Sequence, residues 1–462
     1  MWRTRGWSGR ATDRVRVPAP VIRWRIASGR GATEQPNAIS DGPAALTPLF
    51  WVMVVLTGVG AGLFGVVMML VLFTVEHLAY GYHTGSFEAG VEHAPASRRV
   101  VALAIAGVVG GVGWYLLRRY TKGRKSDADE AVWCGDGTLS FRRSIGTSVL
   151  SEIVVGLGAS LGREAAPKLM GAVSGSLLGR YTRLSSDQRR LLVACGAGAG
   201  LAAVYNVPLG GAVFTLEVLL VSAAARDVVP AILSSAVAAA VAWPVLGNQP
   251  TYLVPAVNAN ASILVWAVVL GPVAGAIGSG FVLLTSRARR RAPKAGWRLP
   301  VATTVVFTAV GALAIGFPAL LGNGKGPAQL AFDGTLSVGG LLALLILKPM
   351  ATAACLRSGA RGGLLTPAVA TGALLGAVTG NLWVLLWPGA PTAGFALIGA
   401  ASVLATTQRA PLCAIVLIME FTHTGLDLLM PMLIAVTGAM LTARLLRSVT
   451  RTGNDTGPIT MA

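Results

Sequence analysis

Charge is what this chain has least of. Lys, Arg, Asp and Glu together make up 12% of its 462 residues, against roughly 25% in an ordinary soluble domain. A soluble chain of this length would form two or three domains, and so few charges cannot clothe their surfaces, which excludes a soluble protein. Acid is scarcer still, with 19 acidic against 38 basic residues and a formal net charge of +19. In a soluble protein that excess would point to nucleic acid, but here the bases gather between apolar blocks, so no nucleic-acid partner is expected. The four cysteines (Cys134, Cys195, Cys355, Cys413) stand alone, which excludes a disulfide framework and a zinc site. His77, His83, His93 and His423 form no H-E-x-x-H pattern, and neither a nucleophile elbow nor a phosphate loop is present. Nothing supports an enzyme, and no cofactor or metal is expected.

Apolar residues are what the chain has in excess: 54% are hydrophobic and the mean hydropathy is +0.66. They fall in blocks between about 46 and 447, several longer than the roughly 18 to 20 residues that span hydrocarbon as a helix. The fold class is therefore an all-α polytopic membrane protein. Basic residues cluster at 118–125, 287–298 and 444–451, which the positive-inside bias assigns to the cytoplasm. Segments 80–97 and 245–262 contain no Lys or Arg and are expected outside, while the basic loop at 180–190 keeps its side open. Residues 1–45 read as a disordered, basic cytoplasmic tail without a signal-peptide core. Residues 448–462 read as a short C-terminal tail, with no room for a regulatory domain.

Several blocks are too short, or too rich in the 58 glycines and 24 prolines, to be simple spanning rods. They read as half-helices and re-entrant segments, which exist only where protein or a pathway surrounds them. A repeat organises them. NVPLGGAVFTLE (206–217) and RAPLCAIVLIME (409–420) match at an offset of 203, and GSLLG (175–179) and GALLG (372–376) at 197. GASLGREAAP (158–167) and SGARGGLLTP (358–367) each lead from a Gly-rich turn into a Pro-bearing helix start. Two halves, about 46–246 and 262–447, with helices interrupted at corresponding places, are the pattern of secondary transporters, whose substrate site lies near the midplane between repeats. Whether the halves are inverted is not readable from sequence.

The two Gly-rich turns carry the chemistry. A helix starting after Glu164 aims unpaired amides and its positive dipole end at whatever precedes it. GGLLTP offers the amides of Leu364 and Leu365 in the same manner, so two helix starts converge on one dehydrated anion. Glu164 is a carboxylate inside a site built for anions, which suggests a plug that leaves when an anion displaces it or a proton neutralises it. The plain structural alternative is an ion pair with Arg163 or a neighbour.

GREAAP resembles the G-[KR]-E-G-P motif of the CLC chloride channels and chloride/proton antiporters, and GGLLTP resembles their G-G-[IL]-F-x-P motif. YNVPLGGAVFTLE and RAPLCAIVLIMEFT are similar to the helices that follow each. The resemblance, to a bacterial-type member without C-terminal regulatory domains, runs in order from about 46 to 447. It implies a CLC-like fold of two inverted repeats with broken and re-entrant helices. It also implies a homodimer in the cell membrane, each subunit with its own path for chloride or other small anions. Glu164 then corresponds to the gate, with Arg163, Ala165, Leu364 and Leu365 around the anion.

Three departures bear on mechanism. The family's G-S-G-I-P motif is replaced by KGRKSDADEAV (122–132), where Ser126 is the hydroxyl candidate. The tyrosine that supplies a second hydroxyl is matched by Leu426, five residues before Pro431, which leaves chloride, nitrate and fluoride open. Antiporters of the family carry an internal glutamate directly after the first repeat's glutamate, and here Glu217 is followed by Val218. Valine there favours a passive channel; the alternative is a proton-coupled antiporter with a proton path through Glu164 and Glu217. For Glu217 and its repeat partner Glu420, capping or structural hydrogen bonding is the competing role. Glu152 has no family role and reads either as a substitute proton carrier or as a structural acid.

Overall fold

Seven helices among the described residues are long and apolar enough to cross a membrane, and four shorter apolar ones accompany them. The computed structural model describes residues 47–121, 127–133, 136–293, 296–389 and 391–452. The expected tail 1–45, Ser126 and residues 453–462 lie outside the described residues. The first half comprises α1 (Pro48–Tyr80), α2 (Phe87–His93), α3 (Ala96–Tyr120), α4 (Ala128–Trp133), α5 (Phe141–Gly156), α6 (Ala165–Tyr181), α7 (Ser186–Tyr205), α8 (Pro208–Phe214, continued by a π-helical turn Thr215–Leu220) and α9 (Ala225–Leu246). The second comprises α10 (Ala261–Arg290), α11 (Arg298–Leu313), α12 (Lys325–Asp333), α13 (Val338–Arg357), α14 (Leu365–Val384), α15 (Thr392–Gln408), α16 (Pro411–Thr422) and α17 (Leu429–Thr452). The last helix runs past the expected end at 447. The short helices α2, α4 and α12 sit in stretches too brief or too polar to show as apolar blocks.

Packing repeats with the sequence. In the first half α1 packs on α6, α7 and α9, and in the second α10 packs on α14, α15 and α17. Glycine sets how closely the central pairs approach. A Cβ at Gly171 of α6 would meet the Gly196 carbonyl of α7 and the reverse, and Gly372 and Gly399 stand in the same relation between α14 and α15. Such small-residue crossings replace the hydrophobic driving force that is missing between helices in lipid.

The halves are inverted, and the basic residues show it. Arg118, at the end of α3, donates to the carbonyls of Pro293 (3.1 Å) and Gly359 (2.8 Å), and Arg357 donates to Arg291 O (2.8 Å). The ends of α3, α10 and α13 thus share one basic face. At the start of α3, Arg98 donates to the Ala79 and Leu78 carbonyls at the end of α1. A helix of 25 residues is about 37 Å long, so α1 ends on the face opposite to α10, its counterpart. Arg189 and Arg190 bond Asp136 O (3.1 Å) and Val132 O (2.7 Å), tying loop 180–190 to the segment that follows α3.

The halves also cap one another. Glu217 accepts from the amides of Leu412 (3.4 Å) and Cys413 (2.7 Å) at the start of α16. Glu420 accepts from those of Leu209 (3.0 Å) and Gly210 (2.5 Å) at the start of α8. Pro208 and Pro411 open these helices, where a missing N–H costs nothing. Each repeat's glutamate satisfies the orphan donors of the other repeat's helix.

Candidate anion site

The two Gly-rich turns meet in a single antiparallel bridge: Gly162 N donates to Gly363 O at 2.8 Å, and Gly363 N to Gly162 O at 2.9 Å. Side chains would obstruct this approach, since a Cβ at either glycine would strike the Glu164 carboxylate. The bridge brings the starts of α6 and α14 together, as the paired motifs predict.

Glu164 occupies the N-cap position of α6 but does not cap it. Its carboxylate crosses to the other repeat, where Oε1 accepts from Leu365 N (2.7 Å) and Oε2 from Thr366 Oγ1 (2.8 Å). The Tyr205 hydroxyl lies at 3.4 Å from Oε2 and at the same distance from Thr366 Oγ1. With 5% of its surface exposed, Glu164 is a buried acid seated on the positive end of α14. A carboxylate there occupies the place that a helix start offers to an anion.

The other expected residues divide. Leu365 provides the amide that Glu164 takes, Leu364 immediately precedes α14, and Ala165 begins α6. The guanidinium carbon of Arg163 stands 5.0 Å from the centre of the Tyr205 ring, and its buried Nε has no hydrogen-bond partner. Leu426 is 72% exposed on a short 3-10 turn, Leu426–Leu428. The hydroxyls that reach the Glu164 carboxylate are those of Thr366 and Tyr205. Both could have been found, Thr366 as the variable residue of GGLLTP and Tyr205 as the aromatic before NVP. Tyr205 is fixed by its ring contact with Phe421 (5.2 Å between centroids) and by Thr251 Oγ1 on its carbonyl (3.1 Å).

Next to Arg163 a cavity of about 280 Å³ is lined by Glu76, Tyr82, Glu88, Asn323 and Lys325 as well. Tyr82 donates to Glu76 Oε2 at 3.2 Å. Burial, with Glu76 adding to it, pushes the Tyr82 phenol above its ordinary range, which keeps it a donor. Two further charged side chains are buried nearby in the fold, Lys348, which the sequence left unmarked, and Glu152. Lys348, inside α13, donates to Leu320 O (2.9 Å) and Gly322 O (2.7 Å), and Gly322 N donates to Gly158 O (2.8 Å). Glu152, in α5, is 0% exposed and neither of its oxygens has a hydrogen-bond partner.

Known proteins are similar to this chain in sequence and in fold. A sequence model of the family described as "Voltage gated chloride channel" matches residues 102–444. A "Putative chloride channel protein ClcB-like" from Ralstonia nicotianae is 36% identical over 324 residues, 68% of this chain and 74% of its own. An "H(+)/Cl(-) exchange transporter ClcA" from Cronobacter sakazakii is 29% identical over 414 residues, 85% of either chain. The crystal structure of a slow cyanobacterial Cl⁻/H⁺ antiporter superposes with a TM-score of 0.76 at 20% identity, covering 89% of this chain and all of the other. Inverted halves whose broken helices start against a single buried glutamate, matched over most of the membrane region, make this chain a member of the CLC family of anion-transporting membrane proteins.

Proposed function

We propose that the protein carries chloride and similar small anions across the cell membrane along a path that Glu164 plugs. The observation behind this reading is the Glu164 carboxylate on the Leu365 amide and the Thr366 hydroxyl. A bound anion and the carboxylate compete for the same donors, so either an anion or a proton on Glu164 frees the path. Backbone amides hold an anion by partial charge, weakly enough for release. Arg163, Ala165 and Leu364 complete the surroundings of the anion, the basic face is cytoplasmic, and two copies associate, each with its own path.

Passive conduction is the first reading of mechanism. Val218 offers no internal carboxylate, and Glu217 is committed to the amides of α16. Proton-coupled exchange is the second, favoured by the buried, unpartnered Glu152. Anion efflux from proteoliposomes loaded with chloride, nitrate or fluoride, recorded together with external pH, tests both. Flux that moves protons against their gradient establishes exchange, and flux without protons establishes a channel. In Glu164→Ala, anions continue to move and proton coupling is lost. No flux of any anion refutes the proposal.

A further inference from the structure

A charged carboxylate without a hydrogen bond does not persist in a dry interior, because its desolvation is uncompensated; it takes a proton or finds a partner. Glu152 has neither an ion pair nor a hydrogen bond. The charges that act on it come from Arg163 and Glu164, in the turn before α6, and from Glu76 of α1; α3, which also packs on α5, adds none to that set. Of the charges that act on Glu152 itself, two are acids and one is the Arg163 guanidinium; Lys325 stands farther off, in the cavity beside Glu76, so nothing at Glu152 compensates its burial by a direct contact.

The face of α5 that carries Glu152 is polar along its length. Ser144, Ser148 and Glu152 follow at intervals of four, with Thr147 and Ser151 beside them, and all five are buried. Residues four apart lie one above another on a helix. The line starts next to Arg142 and Arg143 on the basic face, where Arg143 donates to Thr121 O at 3.0 Å. It then reaches both Gly-rich turns: Ser148 Oγ donates to Ala166 O (3.4 Å) and Ser151 Oγ to Arg361 O (3.1 Å). The Ser144 hydroxyl has no partner. A buried row of hydroxyls that ends at an unpartnered acid is the composition of a proton path rather than of an apolar packing face.

We propose that Glu152 is a second proton-binding site, which receives protons from the basic face along the α5 hydroxyls and passes them to Glu164. In the transfer the Glu152 O–H bond breaks and a proton bonds to a Glu164 oxygen. Glu152 is left as a carboxylate near Arg163 until a proton from water on the basic face replaces the one given up. The proposal rests on Glu164 as the plug and holds for a passive path, where inner protons release it, and for exchange, where the same proton continues across.

The test varies pH on each side of proteoliposomes in turn and follows anion efflux for wild type, Glu152→Gln, Ser148→Ala and Glu164→Ala. In Glu152→Gln, anion flux persists and its response to pH on one side falls tenfold or more. Ser148→Ala weakens the same response, and Glu164→Ala abolishes pH dependence from both sides. A wild-type pH profile in Glu152→Gln, with Glu164→Ala insensitive to pH, overturns the role of Glu152 and leaves the plug standing. A wild-type profile in Glu164→Ala overturns the plug and this proposal together. Infrared spectra at neutral pH provide a measurement independent of flux: wild type shows a protonated-carboxyl stretching band that Glu152→Gln lacks, and its absence from wild type overturns the proposal.

Discussion

The Glu164 carboxylate and the Leu365 amide, from opposite halves of the chain, meet at 2.7 Å. In the proposed function this bond is what closes the path, with a group of the same charge as the anion that would pass. Its strength relative to the neighbouring bonds sets how easily the plug yields.

Thr366→Val removes the 2.8 Å bond to Oε2. A hydrogen bond to a charged group is worth about 1.5–3 kcal/mol, so the plug's closed-to-open ratio falls by about 10- to 150-fold. Anion efflux at alkaline pH should rise towards that of Glu164→Ala. An unchanged efflux rate would show that Thr366 does not hold the plug.

Tyr205→Phe should do much less. Its hydroxyl is 3.4 Å from Glu164, at the long limit of a hydrogen bond, while the ring contacts with Arg163 and Phe421 remain. Efflux is expected to change by no more than about threefold, a bond of this length falling below the typical 0.5–1.5 kcal/mol. Tyr205→Ala, which also removes the ring, should lower thermal stability in detergent as well.

Glu217→Gln and Glu420→Gln each weaken a cap made across the two halves. Either should cost about 1–3 kcal/mol, read as a lower melting temperature in detergent. The pH profile of anion flux should remain that of wild type. A Glu217→Gln protein of normal stability that has lost proton movement would instead restore Glu217 to the proton path.

Lys348→Met leaves the Leu320 and Gly322 carbonyls without their donor. An orphaned buried acceptor costs roughly 1–3 kcal/mol, so the variant should lose about 2 kcal/mol or more. Because Gly322 also holds the Gly158 carbonyl, loosening this corner should slacken the turn before Glu164. Lower thermal stability together with higher basal anion flux is the expected result.

Local chemistry made much of the site legible. The GREAAP and GGLLTP turns mark themselves through glycine and proline, and both prove to be helix starts that meet. Glu217 and Glu420 were paired by their repeat positions, and the structure adds that each caps the other half. The basic segments 118–125 and 287–298 shared a face in sequence, and Arg118 on the Pro293 carbonyl is the contact that unites them. Lys348 lies unmarked in an apolar block because its partners are backbone carbonyls, which leave no trace in side-chain composition.

Hydropathy, charge placement and turn residues thus determined by themselves that the chain is a helical membrane protein of two similar halves whose broken helices start at two Gly-rich turns. They act through neighbours within a few turns, and the solvent that each segment prefers is written in its own residues. Only the tertiary structure decided that the halves are inverted, that Glu164 crosses to the amide of Leu365 instead of capping its own helix, and that Glu152 stands without a partner. Those facts depend on which backbone donors and acceptors lie within 3 Å or so across some two hundred residues of chain, and that distance is set by the packing of whole helices.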